Sequence, residues 1–325
     1  MAPIPTTLGD LVAAARSGSE PPWATWPPQL VVVEVDVPVV VAPPLPWWWP
    51  AVVVGVQRDG SAAGGHPTCD VMVASAGDDL AAIEATVDAN PLAASALTTL
   101  LRASATRSVA EGLLLESAVY SSLQAGPEFA AWRAAHPPRE RSAAGDRVRV
   151  ERAGDGLHIT LTRAEVRNAL DTSMRDQLVE AFELARVDDS ILEVHLRGEG
   201  PSFCAGGDLD EFGDRPDPAT AHLVRMLQSV GRAIDHVSTR VTAHVHGACR
   251  GSGVELPAFA ARVVAAPDAT FGLPEVSLGL IPGAGGTVSL PRRIGRHHTA
   301  WLALTGWPVD APTAAAWGLV DEIEA

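Results

Sequence analysis

Lysine is absent from the 325-residue chain, and all 24 basic residues are arginine. That excludes Schiff-base chemistry through a lysine side chain and the usual phosphate-loop lysine. An anionic ligand must then be held by arginine, by helix N-termini or by backbone N–H groups. Cysteine is scarce. Cys69, Cys204 and Cys249 are widely spaced and form neither a zinc pattern nor a disulfide framework, which fits a reducing cytoplasm. No basic-and-apolar signal pattern stands at the start, and the long apolar stretch from residue 30 is broken by Glu34, Asp36 and several prolines. Strands explain that stretch better than a membrane helix, so the expectation is a cytoplasmic protein with no membrane insertion. A formal net charge of −15 argues against a nucleic-acid partner, which needs a concentrated basic patch. What is present is 47% hydrophobic residues, enough for a sizeable core in one large domain or two.

The pattern divides the chain near "HPPRERSAAGD", from His136, a polar, proline-containing linker. Before it, residues 1–28 read as a leader with one short helix at "LGDLVAAARS". Residues 29–137 carry three strand-like runs, "LVVVEVDV", "AVVVGVQ" and "CDVMVAS", followed by two long helical stretches beginning at Asp79 and Ser108. After it, residues 146–325 alternate strand and helix. They open on a hairpin-like pair turning at Gly154, Asp155 and Gly156, then a helix at "SMRDQLVEAFELARVD" and a strand at "ILEVHLRGEG". A helix "HLVRMLQSVGRAIDHV" follows, then strand-like runs "RVTAHVHGAC" and "ARVVAAPDATFG". That order predicts α/β layering.

Three glycine-rich segments follow strands in this second part: "FCAGGDL", "HGACRGSGVEL" and "FGLPEVSLGLIPGAGGT". Glycine there lets backbone N–H groups approach a ligand closely. None has dinucleotide G-x-G-x-x-G spacing, and no G-x-S-x-G elbow supplies a hydrolase nucleophile. Ser252 and Glu255 stand in S-x-x-E spacing, which predicts a capping box, although Pro257 makes the helix start irregular. Taken alone, Glu275 reads as a loop acid and Asp208 as a brace for its own loop. His244 and His246 alternate on a strand without a third ligand, which favours packing or solvent over metal. Cys204 reads as a small buried filler. Trp47, Trp48 and Trp49 read as loop packing or an exposed contact surface.

Together with "RNAL" at 167–170 and "LTGWPVDAPTAAAWGLVDEIE" at 304–324, these segments in order resemble the crotonase superfamily of enoyl-CoA hydratases and isomerases. The likeness runs from about Val148 to the last residue. It implies a spiral of strand, strand and helix turns with a helical cap, an acyl-CoA thioester substrate and no cofactor beyond the coenzyme A of that substrate. It also implies a homo-oligomer, a trimer or dimer of trimers. In that family two backbone N–H groups form an oxyanion hole for the thioester carbonyl, here matching Gly207 and Ser252. Fixed donors in a dry site are each worth about 3 kcal/mol at the transition state in other oxyanion holes. Ser252 departs from the common glycine, which keeps the donor but adds a β-carbon. The family's two water-handling glutamates match Glu255 and Glu275. Ala205, Asp208 and Leu209 are expected to bind the substrate, and arginines near the entrance, Arg163 and Arg167 among them, are candidates for the coenzyme A phosphates.

Retention of both acids favours hydration of a 2-enoyl-CoA. Isomerisation, dehydration of a specialised acyl-CoA, cofactorless oxygenation and a non-catalytic assembly role stand as alternatives. Residues 80–129 resemble the family's terminal helices, including the break at "NPLAA" and the later "EGLLLE". The resemblance implies a rearranged chain in which helices within residues 80–135 pack against the core near Glu255 and Glu275.

Overall fold

The computed structural model describes residues 4–5, 7–17, 30–35, 44–57, 65–139, 145–214 and 217–324. The leader and the linker fall partly outside these residues. Within the leader, β1 (Ile4–Pro5) and α1 (Leu8–Ser17) are formed, and α1 covers the short helix expected there.

The three apolar runs become β2 (Leu30–Val35), β3 (Val52–Gln57) and β4 (Val71–Val73). They form a parallel sheet in the order β1-β2-β3-β4. Parallel strands are covered on both faces and therefore read as unbroken valine runs rather than as alternation. The period of two sorts their side chains between two cores. Val31, Val33, Val35 and Val53 face a small cluster with Leu11 of α1, Trp49 and Met72. Leu30, Val52, Val54 and Val56 face the main core, which continues without a break to Val320. The tryptophan run splits the same way, with Trp49 buried and Trp47 and Trp48 exposed.

Four helices follow: α2 (Asp78–Ala89), α3 (Pro91–Arg102), α4 (Val109–Gln124) and α5 (Pro127–Ala135). Their boundaries have local causes. Pro91 and Pro127 occupy first-turn positions, where the missing N–H costs nothing. Ser108 and Glu111 form a capping box that starts α4. Arg102, at the end of α3, fixes the first sheet. Its guanidinium forms a buried ion pair with Asp70 and donates to the carbonyls of Pro46, Trp49 and Ala51.

The second part begins with β5 (Val148–Ala153) and β6 (Gly156–Leu161), an antiparallel hairpin. Then come α6 (Thr172–Val187), β7 (Glu193–Gly198), α7 (Pro218–Leu227) and α8 (Val230–Asp235). The single helix expected across "HLVRMLQSVGRAIDHV" is broken at Gln228, because Ser229 caps a new helix by accepting from Arg232 N–H. The two following runs also divide. β8 (Val241–Val245) passes into β9 (Ala248–Arg250), and β10 (Arg262–Ala265) into β11 (Thr270–Gly272), with α9 (Ser252–Glu255) between the pairs. The chain closes with α10 (Gly286–Thr305), β12 (Val309–Asp310), α11 (Ala311–Trp317) and β13 (Glu322–Ile323).

Each long run thus gives one strand to a six-stranded sheet, order β13-β10-β8-β7-β6-β5, and one to a three-stranded sheet, order β12-β11-β9. Bridges at Leu170–Gly207 and Cys204–Cys249 extend the second pattern. This repeat of strand, strand and helix brings the three glycine segments together. α10 kinks at Gly295 and packs against α2, α3 and α4, so the N-terminal helices and the glycine segments share one core.

Candidate active site

A cavity of about 160 Å3 opens among the three glycine segments and is lined by Gly207, Ser252, Glu255 and Glu275. The backbone N–H groups of Gly207 and Ser252 have no protein acceptor among the described residues. Both donors belong to loops held from outside the cavity. Leu170 N–H donates to the Gly206 carbonyl and Asp208 N–H to the Leu170 carbonyl, which leaves Gly207 itself unpaired. Ser252 is the first residue of α9, where a helix N–H has no intrahelical partner.

The capping box expected between Ser252 and Glu255 does not form. Gly251 takes the cap position with φ 47°, without a side-chain cap, and the Ser252 hydroxyl sits 3.6 Å from the Cys204 sulfur. The Glu255 carboxylate instead accepts from Ala284 N–H and Gly286 N–H, both at 2.8 Å, at the start of α10. A buried anion needs such donors, and a helix N-terminus supplies them. Glu275 lies on the bare Cα of Gly251, where an added Cβ would stand 2.2 Å from its Oε1. The other oxygen of Glu275 is buried and has no partner among the described residues.

A third acid, not singled out from the sequence as a site residue, joins this pair. Glu116 on α4 accepts from Gly285 N–H at 2.7 Å and from Thr287 N–H and hydroxyl at 2.9 and 2.7 Å. Glu116, Glu255 and Glu275 are 2%, 2% and 8% exposed. Desolvation pushes the Glu116 and Glu275 carboxyls up to about 7, and desolvation with repulsion from the other two pushes Glu255 well above the usual range. Burial and mutual repulsion thus disfavour ionisation of all three carboxyls together.

Tyr120, one turn beyond Glu116, is the chain's one tyrosine and lines the same cavity. Its ring lies against Gly283, where an added Cβ would meet it at 2.3 Å. From the opposite wall, the Arg225 guanidinium stacks 4.6 Å above that ring. The helices of residues 78–135 therefore stand beside Glu255 and Glu275. α5 reaches the loop after Asp208 as well, through Arg133 donating to the Leu209 and Phe212 carbonyls.

The remaining expected residues separate by depth. Asp208 lines the cavity but is engaged with its own loop, accepting from Asp210 N–H and from Arg163. Arg163 is not at the entrance. It is buried, paired with Asp208 and Asp171, and donates to the Ala169 carbonyl, so it holds the loop from beneath. Arg167 is exposed at φ 55°, and its carbonyl accepts from Ala205 N–H. Ala205, Leu209, Arg163 and Arg167 do not line the cavity. Cys204 is buried. The His244 ring lies tilted beside His195, which stacks with His158, across β8, β7 and β6, and His246 contacts the Gly200 carbonyl. Among the described residues no group of three or more His, Cys, Asp or Glu has the arrangement of a metal site. Among them, too, no helix is long and apolar enough to cross a membrane.

A two-sheet spiral that gathers two unpaired N–H groups and a set of buried carboxylates around one cavity is the frame of the crotonase superfamily. Residues 154–325 match the family model described as Enoyl-CoA hydratase/isomerase, which covers more than half of the chain, and the chain belongs to that family. It is 36% identical over 167 residues to 2,3-dehydroadipyl-CoA hydratase of Escherichia coli (strain K12), covering 51% of this chain and 65% of that protein. It is 32% identical over 167 residues to a mevalonyl-coenzyme A hydratase of Aspergillus fumigatus, covering 51% and 62%. The matches thus span less than two thirds of these relatives' own lengths. Among solved structures, enoyl-CoA hydratase from Thermoplasma volcanium GSS1 aligns with a TM-score of 0.51 at 37% identity, over 55% of this chain and 72% of that one.

Proposed function

We propose that this protein adds water across the double bond of a 2-enoyl-CoA thioester. The observation that carries the reading is the presence of both acids, Glu255 and Glu275, in one cavity with the unpaired N–H groups of Gly207 and Ser252. The two N–H groups receive the thioester oxygen. As water adds to the β-carbon, one carboxylate takes a proton from it and the electron pair of the double bond moves onto that oxygen. The resulting enolate, held by the two donors, takes a proton at the α-carbon from the other carboxyl group. A proton exchange between the acids restores the starting state, and the upward shift of both carboxyls by burial suits one of them to hold the proton that the other lacks.

The helices of residues 78–135 take the place of the family's terminal helices in this reading, closing the cavity with Glu116 and Tyr120. Isomerisation is the second reading, because an enolate made over the same donors can be reprotonated elsewhere. Parallel assays of crotonyl-CoA hydration and 3-hexenoyl-CoA isomerisation separate the two. Faster conversion of crotonyl-CoA to 3-hydroxybutyryl-CoA is the expected result, and isomerisation without hydration would replace this reading with the second.

A further inference from the structure

Ala284, Gly285, Gly286 and Thr287 lead into and begin α10, and the N–H groups of all four go to buried acids. The acceptors alternate along the chain. Glu255 of α9 takes the N–H groups of Ala284 and Gly286, and Glu116 of α4 takes those of Gly285 and Thr287. A helix start leaves its first N–H groups without intrahelical partners, so the two carboxylates together meet a need of the backbone itself. The Ser289 hydroxyl adds a further tie between α10 and Glu255, donating to the Glu255 carbonyl at 2.8 Å.

The two acids use these donors differently. Both N–H groups given to Glu255 fall on Oε2, while Oε1 makes no hydrogen bond among the described residues, and Glu255 lines the cavity with Gly207 and Ser252. Glu116 engages both oxygens, Oε1 with Gly285 and Oε2 with the N–H and hydroxyl of Thr287. It lines not that cavity but an adjoining chamber of about 100 Å3. Glu116 is thus an anchor rather than a reacting group. The turn it holds needs one. Gly285 stands at φ 110°, and an added Cβ on Gly286 would meet the Glu255 Oε2 at 2.8 Å, so the segment that lets the carboxylate approach has no side chains to stiffen it.

We infer that Glu116 is a positioning residue for Glu255: it holds the N–H groups of Gly285 and Thr287, and through them the turn whose other two N–H groups aim the Glu255 carboxylate into the cavity. Its catalytic consequence rests on the hydration reading above, to which it adds that α4, from the first half of the chain, takes part in setting a reacting acid. A misplacement of about 1 Å at such a group costs about 10²-fold in rate.

Two readouts test this, one of them independent of turnover. In amide exchange followed by NMR, Glu116→Gln should lose protection about tenfold or more at Ala284 and Gly286 as well as at Gly285 and Thr287, with β7 and β8 unchanged. Thr287→Val, which removes the hydroxyl donor alone, should act in the same direction and less strongly. Loss confined to Gly285 and Thr287 would overturn the inference, because Glu116 would then hold only its own donors. In crotonyl-CoA hydration, Glu116→Gln should lower kcat about tenfold or more in the wild-type background and less than about twofold in the Glu255→Gln background, with butyryl-CoA binding kept within about threefold. An equal loss in both backgrounds would also overturn it, since a merely loosened fold penalises both alike. A wild-type protein that does not hydrate crotonyl-CoA would remove the hydration reading alone, and the exchange measurement would still decide whether Glu116 positions Glu255.

Discussion

Glu116, Glu255 and Glu275 come from distant stretches of chain and meet at the start of α10, where each must find donors or stay protonated. Glu116 uses three donors, which makes it the acid most tied to structure. Glu116→Ala should destabilise the fold by about 3 kcal/mol by orphaning them, whereas Glu116→Gln should cost less, and urea unfolding compares the two. Gly251→Ala tests the seat of Glu275. The φ of 47° and the 2.2 Å approach to Oε1 leave no room for a methyl group, so acyl-CoA turnover should fall at least about tenfold, with a stability loss of about 1–3 kcal/mol. At this scale Glu255 and Glu275 were legible because they sit in glycine segments whose order is distinctive. The roles of Glu116 and Tyr120 were not, since their partners lie more than a hundred residues away on α10 and its preceding loop. Arg163 differs from its expected place for a nearer reason. An arginine beside a substrate loop looks like an anion binder, but here Asp171 and Asp208 claim it from below.

Elements were more legible than their breaks. Two of the helices of residues 78–135, α3 and α5, carry proline at first-turn positions, a local signal that survives into the structure. The splitting of "RVTAHVHGAC" and "ARVVAAPDATFG" into strands of different sheets depends on the spiral itself, which no local period encodes. The failed capping box at Ser252 has a similar cause. Glu255 takes its donors from Ala284, just before α10, and from Gly286, its first residue, rather than from its own turn. The first sheet is tied to the helices by Arg102 and Asp70, a pair shielded from water on both sides. Removing one partner strands a buried charge, so Asp70→Ala or Arg102→Ala should cost about 3–5 kcal/mol and expose β2 and β3 to amide exchange before the spiral.

For the whole molecule, the buried acids link folding to pH. A carboxyl whose folded pKa is raised contributes stability that is complete below its unfolded value and is lost as pH rises through the folded value. For Glu275 that window runs from about 4.5 to about 7. His244 and His297, pushed down to about 4 by burial, work in the opposite sense between about 4 and 6.5, so the wild-type profile alone mixes the two. The difference between variants isolates the acid. Glu275→Gln should match wild type near pH 4 and exceed it by about 1–3 kcal/mol at pH 8, measured as a shift in denaturant midpoint. A difference independent of pH would mean that Glu275 ionises freely in the folded state. The pairing of acids and donors is tested most directly by the rate of crotonyl-CoA hydration in wild type, Glu255→Gln and Glu275→Gln, with acyl-CoA binding measured alongside. Turnover in the wild type and a loss of about 10²–10⁴-fold in each variant, with binding kept within a few fold, is the predicted result. Hydration that survives either substitution, or a wild-type protein that binds crotonyl-CoA and never hydrates it, would contradict it.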